Sequence, residues 1–176
     1  MVADDIERHG MEVSRKKSVF TANSRALRTG LKERWMKYGI TAVLRAKSLG
    51  AAMAAGCRRN TRLLKQRLEN FKARISRFQR LRRMKADPAR IIRTGGKAAI
   101  VYGQAVTGVS NAHLEAQRRS VAATVAPKNG TGGQQLDMAL MIADGGPKGK
   151  ADPAFDAHTL PIGEWARAVW EERLPA

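Results

Sequence analysis

Fourteen cationic side chains between Cys57 and Arg93 give the strongest chemical signal in the chain. Arg58, Arg59, Arg62, Lys65, Arg67, Lys72, Arg74, Arg77, Arg80, Arg82, Arg83, Lys85, Arg90 and Arg93 stand against two acids, Glu69 and Asp87. The chemistry open to such a cluster is anion binding. Arg predominates, and its planar fork matches phosphate in a way that the point charge of Lys does not. Contacts of this kind go to phosphates and carry little sequence specificity. The whole chain leans the same way: 33 Lys and Arg against 15 Asp and Glu in 176 residues leave a formal charge of +18. Charge of that size repels itself in a compact state unless a partner neutralises it. A surface made cationic for solubility alone would not need clustering.

Other candidate chemistry is thinner. Asp4-Asp5 is the adjacent acidic pair that could hold Mg²⁺, but it lacks a third carboxylate on a neighbouring strand, and acids in a first helical turn explain it more simply. Gly145–Lys150 has the composition of a phosphate loop with the wrong spacing, and Ala151 stands where Ser or Thr would reach the metal. Asn129–Gly133 reads as a plain loop. His9, His113 and His158 are far apart and have no acid or Cys at ligand spacing, so no metal site is expected. Trp35, Trp165, Trp170, Tyr38 and Tyr102 could stack on bases, although at helical spacing the simpler expectation is core packing. Cys57 is the single cysteine, which excludes an internal disulfide. No apolar run approaches the roughly 20 residues of a membrane span. The acids at 4, 5 and 7 suit neither a signal nor a transit peptide. A nuclear or cytoplasmic protein without a membrane association is the expectation.

The elements that must position the cations can be read from periodicity. Leu64, Leu68, Phe71, Ile75, Phe78 and Leu81 follow one another at steps of 4, 3, 4, 3 and 3, which draws one apolar stripe along a helix. The spacing predicts a single long basic helix from Asn60 or Thr61 to Asp87-Pro88, where Asp caps the next helix and Pro takes its first position. Upstream, Val2–His9 reads as a short helix stopped at Gly10, and 11–22 as extended. A helix capped by Asn23 or Ser24 ends at Gly39 and has Leu27, Leu31, Trp35 and Tyr38 on its apolar face. Strand character follows at Ile40–Leu44 and Lys47–Met53. Downstream, apolar and small residues run from Ile91 to Val106 with an interruption at Gly95-Gly96. Helices follow from Asn111 to about Val125 and from Leu136 to Ala143. Asp152-Pro153 repeats the cap-plus-Pro device. After Gly163 a last amphipathic helix carries Trp165, Val169, Trp170 and Leu174 on one face.

Several segments taken together resemble the C-terminal part of a LINE-type (non-LTR) retrotransposon reverse transcriptase, particularly those abundant in dinoflagellate genomes. Gly10-Met11-Glu12-Val13-Ser14-Arg15-Lys16-Lys17-Ser18 is similar to the turn of motif D, and Ala46-Lys47-Ser48-Leu49-Gly50 to motif E, the primer grip. The basic helix then stands where the thumb would. Ile92–Gly96, Tyr102–Ser110, Gln117-Arg118-Arg119, Asp152–Asp156 and Trp165–Trp170 resemble segments downstream of the polymerase. The resemblance implies that Lys17 matches the motif D lysine, which donates a proton to the leaving pyrophosphate in an intact enzyme, and that Lys47, Leu49 and Gly50 match the primer-grip turn. The family's catalytic acids lie upstream of motif D, and the chain begins too late for both of their motifs. The resemblance therefore implies a parent RNA-directed DNA polymerase using Mg²⁺, and a piece that holds no cofactor itself and does not polymerise alone.

The resulting expectation is a mainly α protein: a partial palm-like α/β segment at 1–55, a basic thumb-like helical bundle at 56–126 and a helical extension at 127–176. It would bind RNA, DNA or their hybrid through the basic helix, and the missing palm and fingers of its parent are possible partners. Two other readings stay open. One is a stand-alone, non-enzymatic nucleic-acid-binding module. The other is a helical protein-interaction module whose stripe pairs with another helix while the charge meets an acidic protein.

Overall fold

The computed structural model describes residues 8–11, 14, 17–48, 50–55, 58–125, 133–144 and 151–173. The described residues are mainly helical, 66% helix against 8% strand, in line with the periodicities. The chain divides into two units, Met1–Asn60 and Thr61–Ala176.

In the first unit, β1 (Val19–Phe20) pairs in parallel with β2 (Thr41–Ala42), with Val19 opposite Thr41 and Phe20 opposite Ala42. Helix α1 (Arg25–Trp35) connects them. The Ser24 hydroxyl accepts from the Leu27 amide at 3.1 Å, which satisfies one of the orphan donors of the first turn. A single 3₁₀ turn, Met36–Tyr38, leads into Gly39, whose left-handed backbone caps the end. β3 (Arg45–Ser48) and β4 (Ala51–Ala54) form an antiparallel hairpin in register Arg45–Ala54 to Ser48–Ala51. The two-residue connection demands positive φ, and Gly50 supplies it at +84°. The extended stretch expected over 11–22 contracts to β1, preceded by a turn in which Lys17 and Ser18 donate to the Ser14 carbonyl.

The second unit carries the core. Helices α2 (Arg62–Lys72) and α3 (Ile75–Arg83) hold the apolar stripe. They are followed by α4 (Pro88–Ile91), a π-helical turn (Ile92–Gly96), α5 (Lys97–Val101), α6 (Gln104–Thr107), α7 (Asn111–Val125), α8 (Gly133–Asp144) and α9 (Pro153–Trp170). Helix α7 is the hub and packs against α2, α3, α4, α8 and α9. Glu115 and Arg119 pair on its exposed side, and the rest of its circumference faces the other helices. Its buried residues Gln117, Ser120, Val121, Ala122 and Thr124 are small or hydrogen-bonded rather than bulky. Around it Phe71, Phe78, Ile92, Ile100, Val101, Val121, Ala122, Ala139 and Leu140 form one cluster. Helices α8 and α9 pack on α7 within this unit, so the boundary drawn from sequence at 126/127 runs through a single packed body.

Three sequence expectations change. The single long basic helix is two helices, separated at Ala73-Arg74, where the ψ angles open to −17° and −9° and the Arg74 amide bonds Phe71 at i−3. The stripe averages fewer residues per turn than an α-helix provides, so a straight helix would rotate its apolar face away from the core. One tightened turn restores the register, and the Phe71 and Phe78 rings meet with centroids 5.8 Å apart. Gly95-Gly96 does not interrupt the helical path but forms a wider π turn. A Cβ on Gly96 would lie 3.2 Å from a Phe71 ring carbon, so an alanine there would push the ring by a few tenths of an ångström. The last helix begins at Pro153 and runs through Pro161 and Gly163 rather than starting after them. The helix expected at Val2–His9 lies outside the described residues apart from Arg8 and His9, as do Leu174 and the loops expected at Pro127–Gly133 and Gly145–Ala151 apart from Ala151 and Gly133, the latter of which begins α8.

Candidate nucleic-acid interface

Burial of the stripe aims the cations. Leu64, Leu68, Phe71 and Phe78 are buried, and Ile75 and Leu81 pack against the same cluster. With that side of α2 and α3 turned inward, the charged residues must occupy the remaining arc. On α3, Arg77, Arg80 and Arg83 recur every third residue and form an exposed row, with Arg74 just ahead of it and Arg82 beside it. At 1.5 Å per residue the row from Arg77 to Arg83 is about 9 Å long, over which a nucleic-acid duplex carries about five phosphate charges. Among the described residues no carboxylate forms an ion pair with Arg74, Arg77, Arg80, Arg82 or Arg83. Lys85, exposed with φ +61°, and Arg90 follow on the same stretch.

The other cations of the stretch have different surroundings. Arg93 donates to the Ala143 carbonyl at 2.7 Å, closing the last turn of α8, and it serves the fold. Arg67 donates to the Tyr102 carbonyl at 2.6 Å, and its guanidinium carbon lies 4.9 Å from the centroid of the Tyr102 ring. Lys72 pairs with Glu69 at 2.8 Å in an exposed i,i+3 contact, worth little in water. Arg62 and Lys65 are exposed on α2. Arg58 and Arg59 are exposed but belong to the first unit. Burial, and then the nearby charges of Lys65 and Lys72, hold His113 below its ordinary value of 6.5. Its Nε2 is buried without a hydrogen-bond partner among the described residues.

Two polar anchors escaped the sequence analysis. Arg118 straddles Asp152, with Nε at 3.0 and 3.1 Å from the two carboxylate oxygens, and reaches Asp137 at 2.5 Å. The Asp152 hydrogen bond leads the causes that raise the Arg118 pKa. Asp152 also caps α9 through the Ala154 amide, so one carboxylate ties α7 to the start of α9. Lys97 and Asp156 meet at 3.0 Å with both side chains largely buried. These partners are separated by 34 and 59 residues, and no spacing rule connects them.

The aromatic residues divide. Trp35 and Tyr38 make a tilted ring contact at 5.7 Å and are half-buried. Trp165, Trp170 and Tyr102 are 60%, 87% and 52% exposed, against the expectation that they pack in a core. Lys17 is exposed in its turn, and Lys47 and Gly50 lie at the tip of the β3–β4 hairpin. Leu49, Asp4, Asp5, Cys57 and Gly145–Lys150 fall outside the described residues. Among the described residues no three His, Cys, Asp or Glu side chains converge as metal ligands, and no helix is long and apolar enough to cross a membrane. Comparison of the chain with protein-family models, with curated proteins and with solved structures finds no match.

Proposed function

We propose that the protein binds nucleic acid through the cations of α2 and α3, chiefly by contacts to phosphates. The observation that carries this reading is the row Arg77, Arg80 and Arg83 with Arg74 and Arg82, exposed and without acidic partners among the described residues, on the stretch that also supplies the core stripe. A packed helix fixes the backbone positions from which those side chains extend, so less backbone entropy is lost on binding than for a disordered basic tail. The order of the motif-D-like, primer-grip-like and basic segments supports a finer proposal. In it the chain is the C-terminal part of a LINE-type reverse transcriptase that binds primer–template and does not polymerise by itself. Lys17 and the hairpin tip at Lys47–Gly50 would have their roles only in the intact polymerase.

The test is fluorescence anisotropy on a labelled RNA–DNA hybrid from about 50 to about 200 mM salt. The variant carrying Arg74→Gln, Arg77→Gln, Arg80→Gln and Arg83→Gln serves as control. The expected result is a steep loss of affinity with salt and a loss of at least about a hundredfold in the variant. Absent or salt-insensitive binding by a folded protein would overturn the reading and favour a protein partner for this surface. Nucleotide incorporation in a primer-extension assay with Mg²⁺ would overturn the claim that the chain does not polymerise alone.

A further inference from the structure

Tyr102 is an aromatic side chain held in place yet half exposed. It sits in the turn between α5 and α6. Its amide donates to the Ala98 carbonyl at 3.1 Å, and its own carbonyl accepts from Arg67 Nη1 at 2.6 Å. The next residue, Gly103, has φ +84°, and its carbonyl is held by the Thr107 amide at 3.0 Å and the Thr107 hydroxyl at 2.9 Å. The Arg67 guanidinium lies 4.9 Å from the ring centroid, and the residue remains 52% exposed. The backbone is held on both sides of the residue, the guanidinium restrains the ring, and hydration of the exposed aromatic surface is costly.

Such an arrangement suits one kind of occupant. A guanidinium from a basic stretch lying on a tyrosine ring is the combination that single-stranded nucleic-acid sites use, in which bases stack on aromatic rings and cations track the backbone. A duplex keeps its base faces stacked internally and cannot offer one. Trp165 and Trp170 are more exposed, but the two arginines near them, Arg167 and Arg173, are already paired with Glu164 and Glu171. Tyr102 instead touches Arg67, a member of the basic stretch.

We infer that Tyr102, braced by Arg67, is a stacking platform for a nucleobase of single-stranded nucleic acid. The inference rests on the phosphate-binding reading above and adds a contact to it. The platform is ordered before binding, so stacking on it forfeits little side-chain entropy.

The experiment measures the affinity of the full chain for a single-stranded oligonucleotide and for a duplex of equal length, at fixed salt. Wild type is compared with Tyr102→Ala, Tyr102→Leu, Tyr102→Phe and the four-Arg variant, each checked for folding by thermal melting. Removing the ring should weaken single-strand binding roughly tenfold and leave duplex binding within about twofold. Tyr102→Phe should behave as wild type, because the ring and not the hydroxyl carries the contact. Tyr102→Leu keeps apolar bulk without an aromatic face and should lose affinity as Ala does. Unchanged single-strand binding in folded Ala and Leu variants, with binding still lost in the four-Arg variant, would overturn the platform and leave the phosphate interface standing. Equal losses on single strand and duplex would also overturn it, since stacking is unavailable on a duplex. No binding of either probe by wild type would overturn both readings together.

Discussion

Helix α1 and the pair α2–α3 carry the same kind of pattern and meet different fates. Both present apolar residues at helical spacing: Leu27, Leu31, Trp35 and Tyr38 in the first unit, and Leu64 to Leu81 in the second. The second stripe is buried against α5 and the hub α7. In the first, no residue of α1 is buried and Leu27 is 50% exposed. Among the described residues, two-residue strands and a hairpin of two four-residue strands offer α1 too little apolar surface to cover it. A stripe therefore states which face seeks burial, while the supply of facing residues decides whether it is buried. The same comparison separates the charges: cations beside a well-packed stripe extend from a fixed backbone.

Substitution within the core should show the contrast most strongly. Ile100→Ala, at a side chain with no exposure, is expected to cost about 2–5 kcal/mol in chemical denaturation. Leu27→Ala should stay within about 0.5 kcal/mol. Equal effects would mean that α1 is as firmly packed as the second unit. The Lys97–Asp156 pair comes next. Lys97→Met leaves a largely buried carboxylate without its partner and should cost about 3 kcal/mol or more, while Lys97→Met with Asp156→Leu should recover most of that loss. Asp152→Ala removes both the α9 cap and the Arg118 partner. A loss of about 1–3 kcal/mol is expected there, read as a drop in the thermal midpoint.

The smallest effect is one of pH. Burial first, then Lys65 and Lys72, hold His113 below 6.5 in the folded protein. The unfolded chain therefore binds this proton more tightly. The stability gained from keeping His113 neutral is complete above the unfolded value and is lost as pH falls through it towards the lower folded value. The thermal midpoint of wild type should decline between about pH 7.5 and about pH 5 more than that of His113→Gln. Parallel curves would show that the environment of His113 does not bear on stability.

The sequence alone determined the features whose causes are local. Ser24, Asp87 and Asp152 cap helices where their side chains can reach an amide two or three residues on. The stripe from Leu64 to Leu81 marks the buried side of α2 and α3, and the clustering of arginines beside it follows from composition and spacing. Only the tertiary structure decided the rest. It split the basic helix at Ala73-Arg74 to keep Phe71 and Phe78 on one core. It assigned Arg93 and Arg118 to the fold, left Arg77, Arg80 and Arg83 to solvent, and placed Arg67 against Tyr102. Those outcomes depend on which residues far apart in the chain come to face one another. Charge and periodicity record what a side chain prefers, and the packing of the other helices fixes which partner it meets.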